Sequence, residues 1–316
     1  MTRSFKLVDV FGTDPFTGNP LAVIADADGL SADEMQRITR WLNLSETTFL
    51  LPPTGVQADY RIRIFTLARE LPFAGHPTLG TCHAWLEAGG IPKRDGVVVQ
   101  ECGVGLVEVK RDGDRLAFAA PPLIRSGTPT EAEIAEVAEL LRIDRVAIVD
   151  ARWVDNGPGW IAVMLASAAE VLAVDHARHH SRRIDIGIVG PHPAGSDAAF
   201  EIRAIFSDAH GALIEDPVCG SLNASVGQWL LASGRATDRY VAAQGSCIGR
   251  DGRIDVSQDQ RAQLWVGGAN DHAVRRTVSR LTFQRERPRR QSRARSCRSK
   301  PAGARPGSSA RLDAVR

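Results

Sequence analysis

The sequence of 316 residues is poor in the features that mark membrane, secreted and zinc-binding proteins. No apolar run approaches the roughly 20 residues that a membrane-spanning helix needs. The five cysteines are scattered and form no Cys-x-x-Cys pair, which argues against a disulfide framework and a structural zinc site. The first residues alternate like a strand and lack the apolar stretch of a signal peptide. We therefore expect a cytoplasmic protein that does not enter a membrane.

Motifs for phosphate and metal ligands are missing as well. The glycines form neither a G-x-G-x-x-G fingerprint nor a P-loop, so nothing supports nucleotide binding. His176, His179 and His180 lie close together, but no acidic or cysteine partner stands at a recognisable ligand spacing. We therefore expect neither a nucleotide cofactor nor a metal site.

The charges are distributed unevenly along the chain. Residues 284–316 carry a net charge of +9, so the total of +2 leaves −7 for the remainder. An acidic remainder argues against a nucleic-acid surface on the folded part. The basic segment has few large apolar groups, and we expect it to be a disordered tail. Such a tail could bind RNA or anionic lipid, or it could be an extension without a function.

The most informative feature that is present is an internal repeat. Residues 70–89 read ELPFAGHPTLGTCHAWLEAG and residues 215–234 read EDPVCGSLNASVGQWLLASG, and the two align without a gap. This repeat indicates two similar domains, each of which presents the same kind of loop. The stretch 120–129, which is rich in proline, is the best linker. We therefore predict domains at 1–124 and 125–283, followed by the tail.

Local patterns predict an α+β protein with one prominent helix after each repeat loop. Ser31 with Glu34, and Thr130 with Glu133, form capping boxes that open two further helices. These helices are expected to end near residues 42 and 141, and the helices of the repeats to span 77–88 and 222–232. Alternating or apolar runs predict strands at 5–10, 21–25, 47–51, 59–65, 97–100, 105–110, 115–119, 146–149, 160–165, 184–189, 199–206, 240–244, 253–256 and 262–266.

A glycine precedes the helix in both repeat loops, Gly75 in the first and Gly220 in the second. The N–H groups and the dipole at a helix start make an anion site. Two such starts that face one cleft would hold a carboxylate or stabilise an enolate-like charge. The alternative is that both glycines only allow tight turns, but their common register favours a shared site.

Three side chains near these loops could hold or move a proton. Glu46 precedes the apolar run Phe49–Leu51, where burial would raise its pKa, but it could equally be a solvated loop residue. His76 could donate to a substrate or relay a proton, or it could be structural. Asp216 could hold a substrate amine or His76, or it could cap a turn.

Several segments, taken together, resemble the PhzF-like proteins of phenazine biosynthesis. The resemblance extends over roughly residues 4–268, in order and with sensible spacing. The segments are Val8-Asp-Val-Phe11, Gly18-Asn-Pro20, Ser45-Glu-Thr-Thr-Phe49, Phe73-Ala-Gly-His-Pro77, Val154-Asp-Asn-Gly-Pro158, Glu215-Asp-Pro-Val-Cys-Gly-Ser221, and Gln244-Gly245 with Arg250.

The resemblance implies the diaminopimelate epimerase-like fold, in which two similar domains each curl a β-sheet around a central helix. It implies an isomerase of trans-2,3-dihydro-3-hydroxyanthranilate or a similar small carboxylated substrate, without a metal or organic cofactor, and a homodimer. Glu46 then corresponds to the catalytic acid/base, and His76 and Asp216 to its catalytic partners. The expected substrate-binding residues are Gly75, Pro77, Thr78, Cys219, Gly220 and Ser221.

Two other functions stay open. Related racemases and epimerases use two cysteines, one in each repeat loop, but the first loop here has Ala74 where the second has Cys219. A thiolate of Cys219 acting with Glu46 could still serve an epimerase or racemase, whereas a buried cysteine would be inert. A binding or scaffold protein of the same fold is the other possibility. Residues 269–283 show no clear closing strand, which could weaken the fold.

Overall fold

The computed structural model describes residues 2–112, 115–208, 210–268, 270–271 and 281–282. All of these residues belong to one compact unit that ends at Thr282. The predicted basic tail at 284–316 lies outside the described residues.

The N-terminal half consists of strands interrupted by two long helices, as its periodic patterns predict. The capping box of Ser31 and Glu34 is confirmed, because both of its reciprocal hydrogen bonds are formed. The elements are β1 (Thr2–Arg3), β2 (Phe5–Val10), β3 (Asn19–Ile24), α1 (Ala32–Leu42), β4 (Glu46–Leu51), β5 (Tyr60–Thr66), β6 (Glu70–Leu71), α2 (Gly75–Glu87), β7 (Val97–Cys102), β8 (Gly105–Asp112) and β9 (Arg115–Ala119).

The C-terminal half has the same general order, with an extra helix at its start. The capping box of Thr130 and Glu133 is likewise confirmed. The elements are β10 (Arg125–Gly127), α3 (Glu131–Leu141), β11 (Asp150–Asp155), β12 (Trp160–Met164), α4 (Ala168–Ala173), β13 (Asp185–Pro191), β14 (Phe200–Ser207), β15 (Leu213–Asp216), α5 (Gly220–Ala232), β16 (Arg239–Gln244), β17 (Gly252–Gln258), β18 (Leu264–Gly268), β19 (Asn270–Asp271) and β20 (Leu281–Thr282).

The strand predicted at 146–149 is wrong. Residues Arg145–Ala147 form a 3-10 turn, and the strand begins only at Asp150. Val146 and Val149 are 83% and 62% exposed, so this apolar run does not mark a buried strand. The short strand β10 inside the linker region and the short helix α4 were not predicted, because both are too short for a periodic pattern to register.

Strand pairing is repeated between the two halves. From β2 to β9 the pairs are antiparallel β2–β3, parallel β3–β4, antiparallel β4–β5 and β5–β6, parallel β5–β7, and antiparallel β7–β8 and β8–β9. The strands from β11 to β18 pair in the same sequence of directions. The sequence repeat thus extends to the topology of the whole sheet.

Three further antiparallel strand pairings connect these strands into one larger sheet. The last strands of the halves, β9 and β18, pair antiparallel with each other. The short strands β10 and β19, which follow β9 and β18, pair antiparallel with β11 and β2 respectively. In the described residues, β2 to β19 therefore form one continuous 18-stranded sheet.

The sheet surrounds the two helices of the repeat. Helices α2 and α5 have 13 residues each, and nine residues of each are buried. Such helices are enclosed on most sides, which explains their many small residues and their lack of a polar face. The largest apolar core surrounds both of them and takes residues from both halves. Among the described residues, no helix is long and apolar enough to span a membrane.

Candidate active site

The two repeat loops meet at the starts of α2 and α5. A Cβ atom on Gly75 would lie 2.8 Å from the Cα of Gly220, and one on Gly220 would lie 2.9 Å from the Cα of Gly75. Only glycine at both positions permits this approach, since a side chain on either would collide with backbone. The glycines that the sequence marks as a pair are therefore in direct contact.

These two helix starts lack side-chain caps. Helices α1 and α3 are capped by Ser31 and Thr130, whereas Ala74 and Cys219, which precede α2 and α5, make no capping hydrogen bond. The first N–H groups of a helix have no acceptor within the helix, and the dipole makes that end positive. Two such ends in contact favour an anion beside them.

Two of the predicted substrate-binding residues are built into α2. Pro77 has no N–H group to offer, and its carbonyl accepts the Thr81 hydroxyl at 2.7 Å. The N–H of Thr78 already donates to the Ala74 carbonyl at 3.2 Å, and its buried hydroxyl accepts from Gln100 at 3.0 Å. The two N–H groups that precede these residues at the start of α2 are those of Gly75 and His76.

Glu46 is the first residue of β4, and its side chain is 15% exposed. Its Oε2 lies 3.5 Å from Nε2 of His76 in the first turn of α2. Burial raises the pKa of Glu46 to about 8, and the negative charge of Asp216 adds to the rise. Among the described residues Oε2 has no hydrogen-bond partner. The carboxyl is therefore available to a ligand.

Asn19, the first residue of β3, links His76 to Asp216. Its amide nitrogen donates to Oδ1 of Asp216 at 2.8 Å and to the Val218 carbonyl at 2.9 Å. The same nitrogen lies 3.3 Å from Nδ1 of His76. The two protons of this amide are used in the shorter bonds to Asp216 and Val218, so the contact places the His76 ring beside Asn19 without fixing its tautomer. Burial lowers the pKa of His76 to about 3, and the ring is neutral at physiological pH.

Asp216 ends β15. Burial raises its pKa to about 7, while hydrogen bonds from Cys219, Asn19 and the Val218 N–H oppose the rise. Glu46 and Asp216 thus form a pair of carboxyls whose charges disfavour each other. Near neutral pH such a pair holds a proton that can be given or taken, which is the requirement for general acid–base catalysis.

Cys219 is 5% exposed and stays protonated. Burial, followed by the charge of Asp216, raises the pKa of its thiol well above the usual range. Its N–H donates to Oε1 of Gln244 at 3.1 Å, and the same oxygen accepts from Asn223 at 2.8 Å. These bonds fix the start of α5 but do not activate the sulfur.

The turn before β12 and the first residue of that strand, Trp160, contact Ser221 at the start of α5. Trp160 donates its indole N–H to Oγ of Ser221 at 3.1 Å, and Asn156 donates to the Ser221 carbonyl at 2.9 Å. Sequence reasoning assigned no role to Asn19, Asn156 or Trp160. The available signal was weak: Asn19 and Asn156 are polar residues in Gly- and Pro-containing turns beside apolar strands.

Two of the three neighbouring histidines of the sequence, His176 and His180, have separate local partners. Nδ1 of His176 contacts the Ala177 carbonyl at 2.7 Å, and Nε2 of His180 lies 3.1 Å from Oε1 of Glu136. Within the ranges that the structure describes, no group of three or more His, Cys, Asp or Glu side chains could hold a metal ion.

With this geometry established, the chain was compared with known proteins. The model of the family PhzC-PhzF, described as phenazine biosynthesis-like protein, matches residues 8–271. The chain belongs to this family. It is an isomerase of the PhzF family by homology, since several similar proteins are named as isomerases.

Two relatives illustrate the range of the family. The chain is 36% identical over 287 residues to antisense-enhancing sequence 1 of Schizosaccharomyces pombe, which covers 84% of this chain and 95% of the relative. It is 33% identical over 276 residues to the trans-2,3-dihydro-3-hydroxyanthranilate isomerase of Pseudomonas chlororaphis, again covering 84% and 95%.

Solved structures confirm the diaminopimelate epimerase-like fold. The PhzF-family protein of Bacillus anthracis superposes with a TM-score of 0.72 at 22% identity, over 85% of this chain and 96% of the other. A hydroxyproline epimerase of Agrobacterium vitis superposes with a TM-score of 0.51 at 14% identity, over 86% and 90%. At these identities the superpositions establish the fold alone.

Proposed function

We propose that the protein is a cofactor-independent isomerase that moves a proton on a small carboxylated, conjugated or cyclic substrate. The observation that carries the proposal is the setting of Glu46. Its buried carboxyl has a raised pKa, lies 3.5 Å from His76 and keeps Oε2 unpaired among the described residues. The two uncapped helix starts beside it supply the anion site that a substrate carboxylate requires.

The proposed reaction conserves all atoms of the substrate. The N–H groups of Gly75, His76, Gly220 and Ser221 bind the carboxylate at the positive ends of α2 and α5. Ionised Glu46 removes a proton from an acidic C–H, and the electron pair moves into the conjugated system. Protonated Glu46 then returns that proton to another carbon, so one C–H bond breaks, one forms and a double bond shifts.

His76 and Asp216 support this transfer in different ways. Neutral His76 keeps Nε2 3.5 Å from Oε2 of Glu46 without a hydrogen bond between the two atoms, so its ring lies beside the carboxyl and can contact the polar groups of a substrate. Asp216, held by Asn19, keeps the pKa of Glu46 high enough for the carboxyl to act as an acid as well as a base. We also propose that residues 1–124 and 125–283 act as two domains around the substrate, which the repeated strand pairing supports.

The first compound to test is trans-2,3-dihydro-3-hydroxyanthranilate, the substrate named for the relative at 33% identity. Purified protein and its Glu46→Gln variant would be incubated with this compound in D₂O and followed by ¹H NMR. We expect isomerisation by the wild type and about 10²- to 10⁴-fold slower turnover by the variant. Full activity of Glu46→Gln would contradict the proposed mechanism.

An epimerase with Cys219 as a base has less support, because burial and Asp216 keep that thiol protonated. Cys219→Ser separates the two functions. The isomerase proposal expects activity within a few-fold of wild type, whereas an epimerase loses most of its activity.

The family resemblance also suggests a homodimer. Light scattering coupled to size exclusion, at several protein concentrations, measures the mass of the assembly directly.

A further inference from the structure

Gln244, the last residue of β16, hydrogen-bonds the turn at residues 216–219, which carries Asp216. We propose that Gln244 is a positioning residue, whose amide fixes this turn and thereby keeps the Asp216 carboxyl near Glu46. The inference rests on the proposed function and deepens it. It adds to the proton chemistry a residue that lies outside both repeat loops and does not contact the substrate.

The amide of Gln244 bridges the two ends of this turn. Its Nε2 donates to the Asp216 carbonyl at 3.1 Å, and its Oε1 accepts the Cys219 N–H at 3.1 Å. A backbone carbonyl can only accept and a backbone N–H can only donate, so the amide cannot be reversed. Oε1 also accepts from Nδ2 of Asn223 at 2.8 Å, and Gln244 is fully buried. The side chain therefore has a single amide orientation.

The glycine that follows β16 packs against the same turn. A Cβ atom on Gly245 would lie 2.5 Å from the Pro217 carbonyl oxygen, and its φ of +95° also favours glycine. From the N-terminal half, Nδ2 of Asn19 donates to Oδ1 of Asp216 and to the Val218 carbonyl. The turn is thus held by β16 of its own half and by β3 of the other half.

The N-terminal half has neither the acid nor the bridging amide. In the sequence repeat, Leu71 corresponds to Asp216. In the strand order, Cys102 corresponds to Gln244, because each is the last residue of its strand and is followed by a glycine. The N-terminal half builds its equivalent turn without such an amide. The amide therefore accompanies the acid and is not a requirement of the fold.

A change at Gln244 reaches Glu46 through the position of the turn and not through a charge. The Gln244 amide is neutral, and among the described residues its hydrogen bonds reach two backbone atoms and the Asn223 side chain, none of them ionisable. Besides each other, Glu46 and Asp216 face the ionisable side chains of His76, Cys219 and Glu215.

The test combines Gln244→Met with Asp216→Asn in a double-mutant cycle. Methionine has a similar length but lacks the amide. Gln100→Met is the matched control, because Gln100 is also fully buried, accepts from the Tyr60 hydroxyl at 3.2 Å and donates to Thr78 at 3.0 Å. It therefore removes an equally buried amide from the other half.

The main readout does not require turnover. The Glu46 carboxyl is titrated by ¹³C NMR in labelled full-length protein, and its signal is assigned by its absence from Glu46→Gln. The second readout is kcat/KM against pH with trans-2,3-dihydro-3-hydroxyanthranilate. Melting temperature checks that each variant is folded. Gln244→Asn, which keeps an amide but is one methylene shorter, is measured alongside Gln244→Met and replaces it if that variant does not fold.

We expect Gln244→Met to move the titration of Glu46 to lower pH by roughly half a unit, against about one unit for Asp216→Asn. The physical reason is that a loosened turn lets the Asp216 carboxyl move away and weakens its repulsion of ionised Glu46. Gln244→Met should add little in the Asp216→Asn background. Gln100→Met should lower the melting temperature to a similar extent and leave the Glu46 titration in place.

The inference fails if the Glu46 titration in Gln244→Met stays in place or moves to higher pH. It also fails if the shift is as large in the Asp216→Asn background, or if Gln100→Met produces the same shift. The expected shifts without turnover support the inference and contradict only the proposed reaction. Turnover with an unshifted titration contradicts the inference and leaves the proposed function intact.

Discussion

The two halves of the molecule have the same strand pairing but different acids at equivalent positions. Glu46 is the first residue of β4 and pairs with Thr66, and Asp185 is the first residue of β13 and pairs with Phe206 in the corresponding strand. In the described part of the chain, Oε2 of Glu46 has no hydrogen-bond partner, whereas Asp185 is bound by Arg183 at 3.0 Å. The equivalent acids thus differ in their partners: Asp185 forms an ion pair with an arginine, whereas Oε2 of Glu46 has no hydrogen-bond partner among the described residues.

The starts of α2 and α5 also carry different side chains at equivalent positions. His76 follows Gly75 in one half and Ser221 follows Gly220 in the other, while Ala74 corresponds to Cys219. The glycines, which permit the backbones to touch, are common to both halves. The glycine contact is therefore common to both halves, whereas Glu46 and His76, to which we assign the proton chemistry, lie in the N-terminal half.

The largest expected effect contrasts the two equivalent acids. Glu46→Gln should lower kcat/KM by about 10²- to 10⁴-fold, because the carboxyl that transfers the proton is gone. Asp185→Asn should lower it less than about 10-fold and act mainly on stability, because Asp185 holds Arg183. Steady-state kinetics with folded variants measures both. Equal losses would mean that the two halves share the chemistry.

The second contrast concerns an ion pair that occurs in both halves. Arg203 and Glu215 are each 5% exposed, whereas Arg63 and Glu70 at the equivalent positions are 29% and 39% exposed. Glu215→Gln should lower the free energy of unfolding by about 3–5 kcal/mol, because it leaves a buried arginine unpaired. Glu70→Gln should cost less than about 1 kcal/mol.

Urea unfolding at neutral pH would compare these two variants. Arg203 also donates to the carbonyls of Val171 and Val174, which ties the segment of α4 to β14. If Glu70→Gln and Glu215→Gln had similar costs, burial would not be the difference between the two pairs.

The third contrast tests the contact between the helix starts. Gly220→Ala would place a Cβ 2.9 Å from the Cα of Gly75 and 3.1 Å from the backbone nitrogen of His76. We expect about 1–3 kcal/mol of destabilisation together with reduced activity. Gly55→Ala is the control, since an added Cβ there meets nothing within 4 Å. Denaturant titration of both variants decides whether the close approach matters.

The smallest expected effect is a shift in pH dependence. The charge of Asp216 raises the pKa of Glu46, so Asp216→Asn should lower that pKa. Because the proposed reaction begins with ionised Glu46, the rising limb of kcat/KM against pH should move to lower pH, by about one unit. A limb that stays in place or moves to higher pH would show that Asp216 acts in another way.

Much of the fold was accessible from local sequence patterns. The capping boxes at Ser31 and Thr130 mark helix starts by chemistry within three residues of the chain, and both are formed. The strand expected at 146–149 is wrong because the burial of an apolar run depends on what covers it. The sequence did not predict that β9 pairs with β18 or that β19 pairs with β2, because these pairings join residues that are far apart in sequence.

The features of the site also fall into those that the sequence predicts and those that only the folded structure determines. The repeat, its paired glycines and the absence of a capping residue before α2 and α5 are properties of the sequence, because they depend on residue type and order. Which acid stays unpaired is a tertiary property. The pKa of Glu46 depends on burial and on Asp216, and Asn19 reaches Asp216 across 197 residues of chain. Desolvation and charge act through space, so only the folded chain sets Glu46 apart from Asp185.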